Sequence, residues 1–218
     1  MLSLAEENYL KTIYKIQQEE KNKVSTNAIS ELIQTKASSV SDMLKKLAQK
    51  ELIHYIKYQD ITLTDKGRRQ ALLILRKHRL WETFLVEKLH FHWNEVHDIA
   101  EELEHIQSER LINRLEAFLN YPSIDPHGDA IPDEAGHIRV VEKQLFFHEL
   151  PVGHRGIIQG VKDTSTVFLK YLTKIGISIG SEFEITDRIE YDQSVELSMH
   201  QRTLVISREA AQNLYTFE

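Results

Sequence analysis

The chain contains no cysteine. That one absence excludes disulfides, thiolate metal sites, iron–sulfur clusters and cysteine nucleophiles, and it leaves imidazole and oxygen donors for any metal chemistry. No apolar run approaches the ~18 residues of a membrane-spanning helix. The opening segment MLSLAEENYL is too acidic and too poor in apolar residues for a secretory signal. A cytoplasmic protein with no membrane partner is therefore expected. Proline and glycine are scarce in the first half: all four prolines and seven of the eight glycines lie beyond residue 120, with Gly67 the exception. Residues 1–119 accordingly read as mostly helical, 120–142 as an irregular connector and 143–218 as a small β-rich domain. With 41% hydrophobic and 28% charged residues, the 218-residue chain has enough apolar material for a core.

Charge is unevenly distributed. Residues 1–79 hold 15 Lys and Arg against 9 Asp and Glu, whereas residues 80–218 hold 12 against 24. A basic first part on an acidic body suggests that only the first part meets a polyanion.

The first part has a legible order of elements. Leu4, Tyr9, Leu10, Ile13 and Ile16 make an apolar stripe on a helix over about 4–19. A short helix follows over about 26–33, capped by Ser25 or Thr26. After a polar turn, a third helix buries Val40, Met43, Leu44 and Leu47. The segment LIHYIKYQDITLT then predicts two short strands, about 52–57 and 61–64. Helix, helix, turn, helix and hairpin is the order of a winged helix-turn-helix, here taken as residues 1–64. The candidate DNA-facing residues are Thr26, Lys36, Ser38, Ser39, Ser41, Asp42, Lys45 and Lys46, with Lys57 and Tyr58 on the wing. Small hydroxyls reach base edges or phosphates at close range, and lysines neutralise phosphates. A protein-docking module has the same order of elements, but the local positive charge favours double-stranded DNA.

Residues 65–142 form the middle part. Thr64 is the predicted cap of a long helix over 65–89, which carries His78 and Glu82 at i and i+4. The next predicted helix, 94–107, buries Val96, Ile99, Ala100, Leu103 and Ile106. It also aligns His97, Glu101, Glu104 and His105 as an ionisable stripe with no Lys or Arg from 94 through 107. Stacked carboxylates repel unless a cation compensates them. If the two helices pack antiparallel, these residues gather imidazoles and carboxylates without sulfur. Such a set suits Mn²⁺ or Fe²⁺, and Zn²⁺ or Co²⁺ bind it by raw affinity order. The apolar face of 108–119 either completes the core or meets a second subunit.

Four segments carry a family resemblance: ENYLKTIY (7–14), ASSVSDMLKKLAQKELI (37–53), RKHRLWETFL (76–85) and VHDIAEELEHI (96–106). Together they resemble the diphtheria toxin repressor and manganese transport regulator family of metal-dependent repressors. The resemblance implies a metal-activated DNA-binding repressor of manganese or iron homeostasis genes, acting as a homodimer on a pseudo-palindromic operator. It also implies a primary metal site at Asn8, Glu101, Glu104 and His105 that ties the first helix to the dimerisation domain. Manganese-type relatives carry a second carboxylate one turn after the Asn8 position, where this sequence has Lys11. Iron-type relatives carry Cys where Glu101 stands. An ancillary site is implied at His78, Glu82 and His97. The DPHGDAIP segment adds Asp125, as ligand or turn former, and His127, as ligand or surface group. Residues 143–218 resemble the SH3-like, FeoA-type barrel of longer members, where Asp163 is the best candidate for a further ligand and Thr164 the next.

The expected fold is thus mainly α with a small β domain: a winged helix-turn-helix, a helical metal-binding and dimerisation domain, and a C-terminal barrel. Two other function classes compete with the repressor. A divalent-metal-dependent enzyme would use the cluster of His78, Glu82, His97, Glu101, Glu104 and His105, but the sequence has no His-Glu-x-x-His run, nucleophile elbow or phosphate loop. A regulator answering to an organic ligand would not need the cation-free stripe at 97–105.

Overall fold

The computed structural model describes residues 2–18, 23–56, 59–138, 143–199 and 202–218. The chain packs as two compact units. One comprises Met1–His78, Glu101–Asn113 and Pro132–His137, and the other Arg79–Ala100, Arg114–Ile131 and Ile138–Glu218.

In the first unit, α1 (Leu4–Gln18), α2 (Thr26–Ile33) and α3 (Ala37–Gln49) precede a two-stranded hairpin of β1 (Ile53–His54) and β2 (Thr62–Leu63). Leu10, Ile13, Ile29, Val40, Leu44, Leu47, Leu52 and Ile61 share one core. Leu4, expected on the buried stripe of α1, is exposed. Ser25 rather than Thr26 caps α2: its hydroxyl accepts from the Ala28 N–H at 3.1 Å. Gln34 ends α2 in the left-handed region, at φ 54°. The hairpin pairs Ile53 with Leu63 and His54 with Thr62, a shorter ladder than the sequence suggests. Lys57 and Tyr58 lie outside the described residues.

The long helix α4 (Asp65–Leu89) begins as expected at Thr64, whose hydroxyl accepts from the Gly67 N–H at 3.0 Å. Gly67 explains its own isolation in the glycine-poor half. A Cβ there would stand 1.8 Å from the Leu52 carbonyl oxygen, so only glycine lets the helix start against that strand.

The predicted helix over 94–107 is reduced to α5 (His97–Leu103). A tighter bond from the Ile106 N–H to the Leu103 carbonyl follows at 3.2 Å. Glu104 and His105 therefore lie in a turn and do not continue the helical stripe. The next helix, α6, spans Glu109–Phe118.

The second unit carries the β-rich part: β3 (Gln144–Phe146), β4 (Arg155–Ile157), β5 (Gly160–Val161), α7 (Thr166–Ile175), β6 (Glu182–Arg188), β7 (Val195–Met199), β8 (Arg202–Ile206), α8 (Arg208–Ala211) and β9 (Leu214–Phe217). One sheet has the order β3-β9-β5 and the other β4-β6-β7-β8. Both edges of β9 are taken by β3 and β5, and no pairing joins the two sheets among the described residues. The expected barrel is therefore two sheets over a shared core that includes Phe147, Ile158, Leu172, Ile185, Leu197 and Leu214.

Candidate metal centres and DNA-facing helix

Burying Val40, Leu44 and Leu47 leaves the opposite face of α3 to solvent. Lys36, Ser38, Ser39, Asp42, Lys45 and Lys46 are exposed, and Thr26 and Ser41 are half-buried. Three of these have intrahelical partners. Ser41 Oγ donates to the Ala37 carbonyl at 3.0 Å, and Lys45 Nζ pairs with Asp42 at 3.0 Å. An exposed pair of this kind contributes little to stability and opens readily toward a stronger anion.

The first acidic cluster lies in the first unit. Glu104 is fully buried, and its Oε2 accepts from His78 Nδ1 at 2.7 Å. Lys11 reaches the same carboxylate from α1, with Nζ 2.7 Å from Oε1 and 2.9 Å from Oε2, and it also donates to Glu101. Burial alone would raise the Glu104 pKa. The His78 hydrogen bond and the Lys11 charge more than offset it, and the carboxyl sits below its ordinary value. His105 is turned elsewhere: its Nδ1 donates to Glu7 Oε2 at 2.6 Å, and its Nε2 stands 3.8 Å from Glu104. Gln107 donates to the other Glu7 oxygen at 2.8 Å, with Lys77 at 3.9 Å. The Oδ1 of Asn8 is buried without a hydrogen-bond partner among the described residues.

The second cluster lies in the second unit. Ligand-type atoms of Glu82, Asp125 and His127 all fall within 4.8 Å of one another, and all three residues are buried. His127 Nδ1 stands 3.5 Å from Glu82, and His97 Nδ1 stands 3.4 Å from the other Glu82 oxygen. The His127 Nε2–H donates to the Trp93 carbonyl at 2.9 Å, and the two rings stack with centroids 6.0 Å apart. Asp125 fills the turn-former role weighed from the sequence, and its carboxylate also lies in the Glu82–His127 group. Its Oδ1 accepts from the His127 and Asp129 N–H groups at 2.8 and 3.0 Å, a turn motif. Its Oδ2 lies 3.6 Å from Arg79 Nε. Burial, then the charges of Asp129 and Glu82, push the Asp125 carboxyl up to about 7 against the opposing pull of His127 and Arg79. Burial pulls His127 down, but the hydrogen bond to Glu82 and the charges of Asp125 and Glu82 raise it to about 9. Asp163 is engaged locally, accepting from the Ser165 N–H at 2.8 Å just before α7.

Three family models match the chain in order: the DNA-binding domain of iron-dependent repressors over residues 1–61, their metal-binding and dimerisation domain over 64–133, and the FeoA domain over 147–216. The diphtheria toxin repressor of Corynebacterium glutamicum is 30% identical over 189 residues, 82% of each chain. The chain belongs to the iron-dependent repressor family. A solved manganese-dependent transcriptional repressor in complex with manganese is 36% identical, with a TM-score of 0.85 over 97% of this chain and 99% of that one. The iron-dependent repressor IdeR of Mycobacterium leprae is 35% identical over 126 residues, 58% of this chain, and the chain spans about half (54%) the length of that relative. The family consists of DNA-binding repressors, which removes the metalloenzyme reading.

As an iron-dependent repressor family member, the chain meets the resemblance unevenly. His78, placed from the sequence in the ancillary group, engages Glu104. His105, placed in the primary group, engages Glu7. In the primary group ligand-type atoms of His78, Glu101 and Glu104 fall within 4.8 Å of one another, but the Lys11 ammonium lies against both carboxylates, and a metal ion would have to displace it. The second group fits a metal ion. A ligating histidine normally fixes its free ring N–H on a carbonyl, as His127 does on Trp93, which leaves Nδ1 facing the acids. Sequence reading missed Glu7, Arg79, Asp129 and the Trp93 carbonyl. Only for Glu7 was there a signal: an acid beside Asn8 and two residues before the apolar Tyr9–Leu10 pair.

Proposed function

We propose that this chain is a divalent-metal-responsive, DNA-binding transcriptional repressor of manganese or iron homeostasis genes. It works in the cytoplasm as a homodimer on a pseudo-palindromic double-stranded operator. The observation that carries the reading is one chain holding both a winged helix with an exposed hydroxyl and lysine face and a buried, acid-rich His/Glu/Asp group. Glu82, Asp125 and His127, joined by His97, hold the metal. A bound Mn²⁺ or Fe²⁺ is held by these imidazole and carboxylate donors, and Zn²⁺ or Co²⁺ can take its place in vitro. On α6, Leu111 and Phe118 are spaced seven residues apart on one face and are both exposed, which supports pairing with a second copy. Two recognition helices held about 34 Å apart enter successive major grooves. Metal that binds the DNA-competent arrangement better shifts the population toward it.

The test is fluorescence anisotropy on labelled DNA from the protein's own promoter region, titrated with Mn²⁺ and with Fe²⁺ under anaerobic, reducing conditions. Metal-dependent binding to that DNA, absent from a scrambled duplex, is the expected result. Equal binding with and without metal overturns the metal-responsive reading.

A further inference from the structure

We propose that the Lys11 ammonium is the standing cation of Glu101 and Glu104, so that the bridge from α1 to the end of α5 closes without a metal ion. The metal response of this chain then rests on the Glu82–Asp125–His127 group alone. This second clause rests on the reading given under Proposed function; the first does not.

The stereochemistry of the ammonium carries the argument. An ammonium has three N–H donors and a compact charge. Here its nitrogen meets three acceptors: both oxygens of Glu104, at 2.7 and 2.9 Å, and one of Glu101. The side chain of Lys11 is 16% exposed and that of Glu104 0%, so solvent screens the contact weakly. A divalent ion held by the same oxygens would sit ~2.0–2.2 Å from each, inside the position the ammonium occupies, and would repel it. Both cannot occupy that position. The imidazoles agree. His78 donates to Glu104, adding a hydrogen bond that favours the ionised carboxylate, and His105 is held by Glu7. The contacts from Lys11 and Glu7 therefore tie α1 to the end of α5 by two independent links, Lys11 to Glu101 and Glu104, and Glu7 to His105 and Gln107. The second cluster brings ligand-type atoms of three buried residues, Glu82, Asp125 and His127, within 4.8 Å of one another, and its arginine, Arg79, stands 3.6 Å from Asp125. That spacing of donors is what a metal ion needs.

The experiment counts Mn²⁺ per chain by equilibrium dialysis with metal analysis and by the loss of free Mn²⁺ signal in electron paramagnetic resonance. It also measures the thermal midpoint in chelator. Wild type is expected to hold one tight Mn²⁺ per chain. Glu104→Gln keeps that ion and Asp125→Asn loses it. Lys11→Met is expected to gain a second ion, because it removes the ammonium from both carboxylates, and to lower the chelated midpoint by roughly 5–10 °C as the carboxylates lose that cation. Lys11→Arg, which keeps the charge, should restore most of that midpoint, and this comparison stands even if Lys11→Met folds poorly. Loss of the wild-type ion in Glu104→Gln but not in Asp125→Asn would overturn the proposal. So would a Lys11→Met protein with an unmoved chelated midpoint and no second ion. A wild type that binds no Mn²⁺, paired with a destabilised Lys11→Met, sinks the metal reading and leaves the Lys11 bridge in place.

Discussion

Glu104 and Asp125 are both buried carboxylates with a histidine beside them, yet their acidities move in opposite directions. Glu104 is held below its ordinary value, and Asp125 is pushed up to about 7. Desolvation opposes the charged form of each. At Glu104 it is outweighed by two charge-assisted partners, His78 and Lys11, within 3 Å. At Asp125 the cations stand farther off, with Arg79 Nε at 3.6 Å, and two further carboxylates crowd the site. The pair shows that a buried acidic cluster is not in itself a metal site. What distinguishes the two is how closely the chain's own cations approach the carboxylate.

The sharpest way to break this comparison is to remove the compensated carboxylate. Glu104→Ala strands Lys11 and His78 without their buried partner and is expected to destabilise the metal-free fold by about 3–5 kcal/mol, read by urea denaturation in chelator. A loss under about 1 kcal/mol would mean that the Lys11 contact contributes little. The Asp125 side should behave differently. Asp125→Asn relieves acid crowding, so its metal-free stability should change by no more than about 1 kcal/mol, while Mn²⁺ affinity falls by at least roughly tenfold in isothermal titration. An unchanged affinity removes Asp125 from the ligand set.

The third test concerns protons. Metal-free His127 keeps its second proton up to about 9, so a metal that takes its Nδ1 must displace that proton. Mn²⁺ binding should therefore release a proton near neutral pH, and the release should fade as pH rises through about 9. Titrations in buffers of different ionisation enthalpy measure it. No buffer dependence at neutral pH would place the metal away from His127. The smallest effect belongs to the DNA face. Replacing Lys45 and Lys46 by Ala should weaken operator binding at every salt concentration and flatten the log–log salt slope by about 2. An unchanged slope would take α3 off the phosphates.

The sequence was most legible where burial repeats at a fixed period. The apolar spacing of α1 through α3 and the unbroken run of α4 follow from residues a few positions apart, and the starts of α2 and α4 at Ser25 and Thr64 follow from local capping chemistry. It was least legible between 97 and 107. Periodicity extended the ionisable stripe through Glu104 and His105, but α5 stops at Leu103 and the two side chains turn to Glu7 and Lys11, more than ninety residues away.

By itself, then, the sequence determined the order of elements, the family, the absence of sulfur ligands and the presence of more acids than nearby cations. These depend on composition and on short-range spacing. Only the tertiary structure decided which acids are compensated. Residues 94–107 hold no Lys or Arg, and the cation comes from α1 instead; His127 and Asp125 meet Glu82 only because a connector folds back on the second half of α4. Coulomb energy depends on distance in space and on burial, and neither can be counted along the chain.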